Sequence, residues 1–165
     1  MDFIKHNNTR YNKNIGGFMT NEIKIISTNL NFKTNQMLRM KPNDVRIIIL
    51  HHRGGRGDIE SIHLQHLKNG WAGCGYHFYI RYDGKIYEGR PTNFVGSHCN
   101  GNNSKSIGIC LEGNFLKEEP RPAQLTACKE LVAYLKGKFK NINNVLNHND
   151  LYRTQCPVVN LKEMI

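Results

Sequence analysis

The chain has 165 residues, 39% of them hydrophobic, with a formal charge of +10 and a pI near 9.5. That is enough apolar material for one core and excludes a second full module. The apolar stretch 15–19 is too short for a secretory h-region or a membrane span, and the basic residues run from Lys5 to Lys162 without a compact block or a nucleic-acid-binding signature. Residues 1–21, rich in Asn, Lys and Gly, read as a flexible or loosely docked leader, with Met19 an alternative start, and residues 22–165 as the folded domain. Within it, 22–27 and 29–33 read as short extended segments and 35–44 as a polar connection. Ile47-Ile48-Ile49-Leu50 is a buried strand that delivers His51 and His52 to the rim of a sheet. A helix over 58–68 opens on Asp58, repeats its apolar positions at Ile59, Ile62, Leu64 and Leu67, and stops at Asn69-Gly70. Two strands flank an Asp83-Gly84 turn, a longer helix runs from Pro122 to about Phe139, Val145–Asn147 is a further short strand, and a last short helix starts near Val158. Strands alternating with helices predict an α/β fold, a mixed, largely parallel central sheet with helices on both faces.

Chemistry enters with His148 and Cys156, eight positions apart, together with the His51-His52 pair. One histidine of the pair with His148 and Cys156 makes an N/N/S set for zinc with a fourth position open, the pattern of a catalytic site. Spacing alone leaves the alternative open, because a strand-end histidine is commonly just hydrogen-bonded and a free thiol commonly just buried. Strand alternation turns His51 and His52 to opposite faces without saying which one meets the metal. His63 and His66, three apart on a helix, read as surface or cleft-edge residues.

The blocks Ile48-Ile49-Leu50-His51-His52, Gly70-Trp71, Gly75-Tyr76-His77-Phe78, Asp83-Gly84, Gly89-Arg90, Gly96-Ser97-His98, Ser106-Ile107-Gly108-Ile109 and His148 to Cys156-Pro157 follow one another over about residues 45 to 165. In that order they resemble the zinc-dependent N-acetylmuramoyl-L-alanine amidases, the family of phage lysozyme-type amidases and peptidoglycan recognition proteins. The resemblance implies a Zn2+ enzyme with His51, His148 and Cys156 as ligands and Tyr76 as the active-site tyrosine. Thr154 falls where some members carry Lys, so the oxyanion would meet a neutral donor. His98 becomes a candidate for substrate contact at the cleft wall, with loop capping as its alternative. Cys110 stands where cytosolic recycling amidases carry a catalytic Glu, which favours the tyrosine-using lytic branch; Glu112 is taken as structural. The remaining cysteines, Cys74, Cys99, Cys110 and Cys128, are expected to be reduced.

The implied reaction is hydrolysis of the amide between N-acetylmuramic acid and L-alanine in bacterial peptidoglycan. The positive charge suits an anionic wall, with nucleic acid a poor second and a polymerase-binding role of a phage enzyme kept as an alternative. The protein is expected to act as a monomer, to be made in the cytoplasm without a signal peptide, and to reach the wall after release or by a non-classical route. A non-catalytic peptidoglycan-binding module is the competing possibility; such modules typically lack the Cys ligand, and Cys156 is present.

Overall fold

The computed structural model describes residues 8–10 and 23–165. The remainder of the leader, Met19 included, lies outside the described residues. Strands β1 (Asn8–Arg10), β2 (Lys24–Ile26), β3 (Ile47–His52), β4 (Phe78–Ile80), β5 (Ile86–Glu88), β6 (Ser106–Leu111) and β7 (Asn144–Asn147) form one sheet, in the order β1-β2-β5-β4-β6-β3-β7. The β1–β2 and β4–β5 pairs are antiparallel and the other four parallel. The sheet is therefore mixed and largely parallel, as the alternation of elements predicts. Among the described residues no helix is long and apolar enough to cross a membrane.

A strand flanked by parallel partners on both edges and covered on both faces must be apolar throughout, and β3 meets this with Ile48, Ile49 and Leu50 fully buried. Its alternate side chains divide two cores. Ile48 and Leu50 join Phe78, Ile80, Ile107, Ile109 and Leu111 under helix α2 (Pro122–Lys138), which contributes Cys128, Leu131 and Leu135. On the opposite face helix α1 (Ile59–Lys68) sets Ile59 and Ile62 against Tyr79, Cys110 and Cys74. Ile47 and Ile49 share that second face with Cys99, so His51, two residues on, points the same way.

The helix boundaries follow their caps. The Asp58 side chain accepts the Ser61 backbone N–H at 2.8 Å, satisfying an orphan donor of the first turn of α1. Pro122 opens α2 where its missing N–H costs nothing. The buried Gln124 then ties that helix to the sheet by donating to the carbonyls of Glu112 at 2.8 Å and Ile80 at 3.3 Å. Helix α3 (Leu161–Met164) begins three residues later than the sequence suggests, because residues 151–160 form the loop that returns Cys156 to the sheet. Residues 29–33 form no strand; Lys33 donates to the Ala72 carbonyl while Leu30 and Phe32 pack on the α1 core.

The polar loop 53–57 between β3 and α1 is held from both sides at Gly57. The Glu112 carboxylate accepts its N–H at 3.0 Å and the Tyr79 hydroxyl donates to its carbonyl at 2.7 Å. Glu112 is 2% exposed and also accepts from Arg81 Nε at 2.9 Å and Tyr82 N at 3.2 Å. A buried carboxylate with that many donors is a structural clasp, in line with the role read from the sequence.

Candidate active site

The sheet register builds one row of side chains on the α1 face. His51 pairs with Cys110 on β6, Cys110 with Tyr79 on β4, and Leu50 with Asn147 on β7, which puts His148 level with His51 just past the strand end. The His51 and His148 rings lie 4.5 Å apart between centroids. Cys156 comes back to them because the loop is stitched shut: Asn149 N donates to the Cys156 carbonyl at 2.9 Å, and the buried Asn147 bonds to Asn160 at 2.7 Å and accepts from Lys162 N at 3.2 Å.

The ligand atoms of His51, His148 and Cys156 all lie within 4.8 Å of one another. Cys156 Sγ is 3.8 Å from His51 Nδ1, close to the roughly 3.6 Å that separates N and S donors of one tetrahedral zinc. Two neutral imidazoles and a thiolate suit zinc by softness as well as spacing. Burial pushes the Cys156 thiol up to about 11, so metal uptake near neutral pH would displace its proton. The His52 side chain faces away: its Nδ1 accepts from Phe115 N at 3.1 Å, and its backbone alone meets Cys156 Sγ, the N–H at 3.4 Å and the carbonyl at 3.8 Å.

Tyr76 packs beside this set, 5.1 Å from the His51 ring between centroids. Burial, with Cys110 and Cys156 close by, holds its phenol well above the ordinary value, so the hydroxyl is neutral and donates. A cavity of about 170 Å³ opens next to it, lined by Arg53, Ile62, Gln65, His66, Asn69 and Tyr76. Thr154 Oγ1 accepts from Cys156 N at 3.2 Å, leaving the hydroxyl hydrogen free to point elsewhere. Tyr152 stacks on the other ring, 16° from parallel with His148.

His98 packs against His51, the two rings 5.1 Å apart between centroids. It is 9% exposed and its Nδ1 is 3.0 Å from His51 Nε2. His63 is also buried and not a surface residue: its Nδ1 accepts from Cys74 N and its Nε2 lies 3.1 Å from the Asn31 carbonyl. His66 does stand at the cavity edge, where its Nδ1 accepts from Gly75 N at 3.0 Å. Cys74, Cys99, Cys110 and Cys128 are all free thiols.

Two residues with no role read from the sequence shape the site. Arg90, 3% exposed, donates to the carbonyls of Cys74 and Val95 and to Ser97 Oγ, binding the segment before Tyr76 to the loop that carries His98. His77 bridges two strands, with Gly108 N donating to its Nδ1 and its Nε2 donating to the Phe94 carbonyl, both at 3.0 Å. Burial pushes His77 down to about 4 from the ordinary value of 6.5. A protonated imidazole would also lose the acceptor that holds Gly108. The unfolded chain takes up this proton below about pH 6.5 and the folded chain only near pH 4, so the contribution is complete above 6.5 and is lost as pH falls through that window. Thermal melts from pH 7.5 to 4.5 should show falling stability, of which His77 accounts for about 3 kcal/mol. His77→Gln, which keeps a donor and an acceptor, should flatten that slope; an unchanged slope would remove His77 from the account.

A His/His/Cys cluster, with His51 buried and His148 and Cys156 half-buried, thus stands at the rim of a largely parallel sheet with a tyrosine beside it, a donor set that suits a metal. The family model for N-acetylmuramoyl-L-alanine amidase matches residues 41–158. Peptidoglycan-recognition protein SC2 of Drosophila melanogaster is 34% identical over 131 residues, 72% of this chain and 71% of its own length. The endolysin of Klebsiella phage KP32 is 38% identical over 109 residues, 63% of this chain and 72% of the endolysin. Among solved structures, the N-acetylmuramoyl-L-alanine amidase LysC from Clostridium intestinale URNW superposes with a TM-score of 0.77 at 38% identity, covering 86% of this chain and 94% of that one. The chain belongs to the N-acetylmuramoyl-L-alanine amidase family, and its class is that of a peptidoglycan amidase.

Proposed function

We propose that residues 22–165 form a zinc amidase that hydrolyses the bond between the lactyl carbonyl of N-acetylmuramic acid and the L-alanine of the stem peptide. The observation that carries this is the convergence of His51 Nδ1, His148 and Cys156 Sγ within 4.8 Å. A zinc ion held by these three residues would supply Lewis acidity, polarising the carbonyl and making water a better nucleophile. His51 and His148 enter as neutral ligands, since burial lowers the pKa of both. Cys156 brings the single negative charge, leaving the loaded site near +1 and electrophilic. Tyr76, held as a neutral phenol, donates a hydrogen bond as negative charge develops on the substrate and relays a proton, passing its own to the departing amine as it takes up one from the attacking water. Thr154 offers its free hydroxyl hydrogen to the oxyanion, a weaker contribution than a lysine in that place.

The same reading makes peptidoglycan the partner and release to the wall the condition for action. A net charge of +10 favours encounter with an anionic wall. Metal analysis should find about one zinc per chain. Mass spectrometry of digested wall should show stem peptides with a free L-alanine amino group and glycan strands stripped of peptide. New reducing ends with the stem still on muramic acid would overturn the bond assignment, and wall that binds the protein but stays intact would make it a binding module.

A further inference from the structure

We propose that His98 and Ser106 are positioning residues that fix which ring nitrogen His51 offers to the metal, through a one-directional hydrogen-bond chain ending on the Asn102 carbonyl. The proposal rests on the zinc reading of the site and goes beyond it by assigning what stands behind the first ligand.

The direction of the chain follows from its far end. Ser106 is fully buried, and its hydroxyl has one hydrogen, which goes to the Asn102 carbonyl at 2.8 Å. Toward His98 Nε2, at 3.4 Å, the Ser106 oxygen is therefore the acceptor, and His98 carries its hydrogen on Nε2. A neutral His98 with hydrogen on Nε2 has a bare Nδ1, which accepts from His51 Nε2 at 3.0 Å. His51 then has its hydrogen on Nε2 and a bare Nδ1, and Nδ1 is the atom that faces Cys156 Sγ at 3.8 Å. The Asn102 carbonyl, three hydrogen bonds from His51, thus sets the tautomer of a metal ligand.

The fold makes room for this ring and for no displacement of it. A Cβ on Gly96 would lie 2.5 Å from His98 Cδ2, and one on Gly108 would lie 2.6 Å from His98 Cγ. The two missing side chains leave the slot that the ring fills. Below the slot, the Asn103 side chain accepts from both His98 N and Cys99 N, at 2.9 and 2.8 Å, which pins the backbone that carries the ring. Every link is neutral. A metal-bound histidine backed by a carboxylate gains basicity from the negative charge behind it; one backed by imidazole, hydroxyl and carbonyl is oriented without that gain, and the metal keeps more of its charge for the substrate.

Two measurements test the chain. Long-range proton–nitrogen NMR on the metal-free full chain should show His51 and His98 both as Nε2–H tautomers with unprotonated Nδ1. Competition for zinc against a chelator should show Ser106→Ala weakened by about 10-fold and His98→Leu by up to about 100-fold, the range typical of partners behind a ligand, with Ser106→Thr near wild type. His98→Gln, which keeps an acceptor for His51, should fall between. Ser106→Ala removes one oxygen from a strand and serves if the His98 variants fail to fold. An Nδ1–H tautomer at His51, or zinc binding unaltered in Ser106→Ala and His98→Leu while the wild type holds zinc, would overturn the chain and leave the zinc reading standing. A wild-type protein without affinity for zinc would overturn both.

Discussion

Cys156→Ala is expected to lose zinc and wall hydrolysis together while remaining folded. Cys156 supplies one of three converging donors, and removing it must cost more than the roughly 10- to 100-fold in metal affinity typical of a partner behind a ligand. Turnover should drop to the level of chelated wild-type protein. The side chain lies outside the hydrophobic clusters, so the metal-free variant should unfold within about 1 kcal/mol of metal-free wild type. His52→Ala is the contrasting variant. Its imidazole is occupied by Phe115 N on the other face, so zinc content should survive, whereas His51→Ala should lose it. Zinc lost from His52→Ala and retained by His51→Ala would reverse the ligand assignment.

Tyr76→Phe is expected to keep zinc, fold and substrate affinity yet lower kcat by on the order of 10²-fold, the size of a positioned proton-transfer group. Only the hydroxyl is removed; the ring, with its packing against His51 and His66, stays. Thr154→Ala should cost less, since its hydroxyl is a neutral donor next to a metal carrying most of the oxyanion charge. Wild-type turnover in Tyr76→Phe would confine that hydroxyl to structure, and a change in KM alone would make it a binding group.

The elements that were legible in the sequence are those whose signal is local. The run Ile47–Leu50, the Asp58 cap, the Asp83-Gly84 turn and Pro122 each mark an element through residues adjacent to it, and each element lies where they put it. The metal set is a different matter. Alternation separates His51 from His52 but does not choose between them; the choice depends on β7 lying parallel beside β3, a pairing across nearly a hundred residues. His98 was harder still. Nothing near Gly96-Ser97-His98 reveals that Gly108, on β6, completes its slot, so the burial of that loop histidine against His51 was not legible. His63 misled for the same reason, since its partners Asn31 and Cys74 come from segments with no periodicity to announce them.

The loop that carries Cys156 has a consequence for how such a chain can change over generations. Its shape is kept by backbone and amide bonds at Asn147, Asn149 and Asn160, none of which needs a sulfur. The cavity beside the site is lined by Arg53, by Ile62, Gln65 and His66 of α1, and by Asn69 and Tyr76, none of which bonds to the sulfur at position 156, whose one link to β3 is at His52. On the zinc reading, hydrolysis constrains that thiol far more than folding does, because its structural part is one long bond from His52 N. On that reading one codon would separate a catalyst from a receptor on the same scaffold, and a lineage that benefits from holding its ligand intact could cross that boundary in a single step.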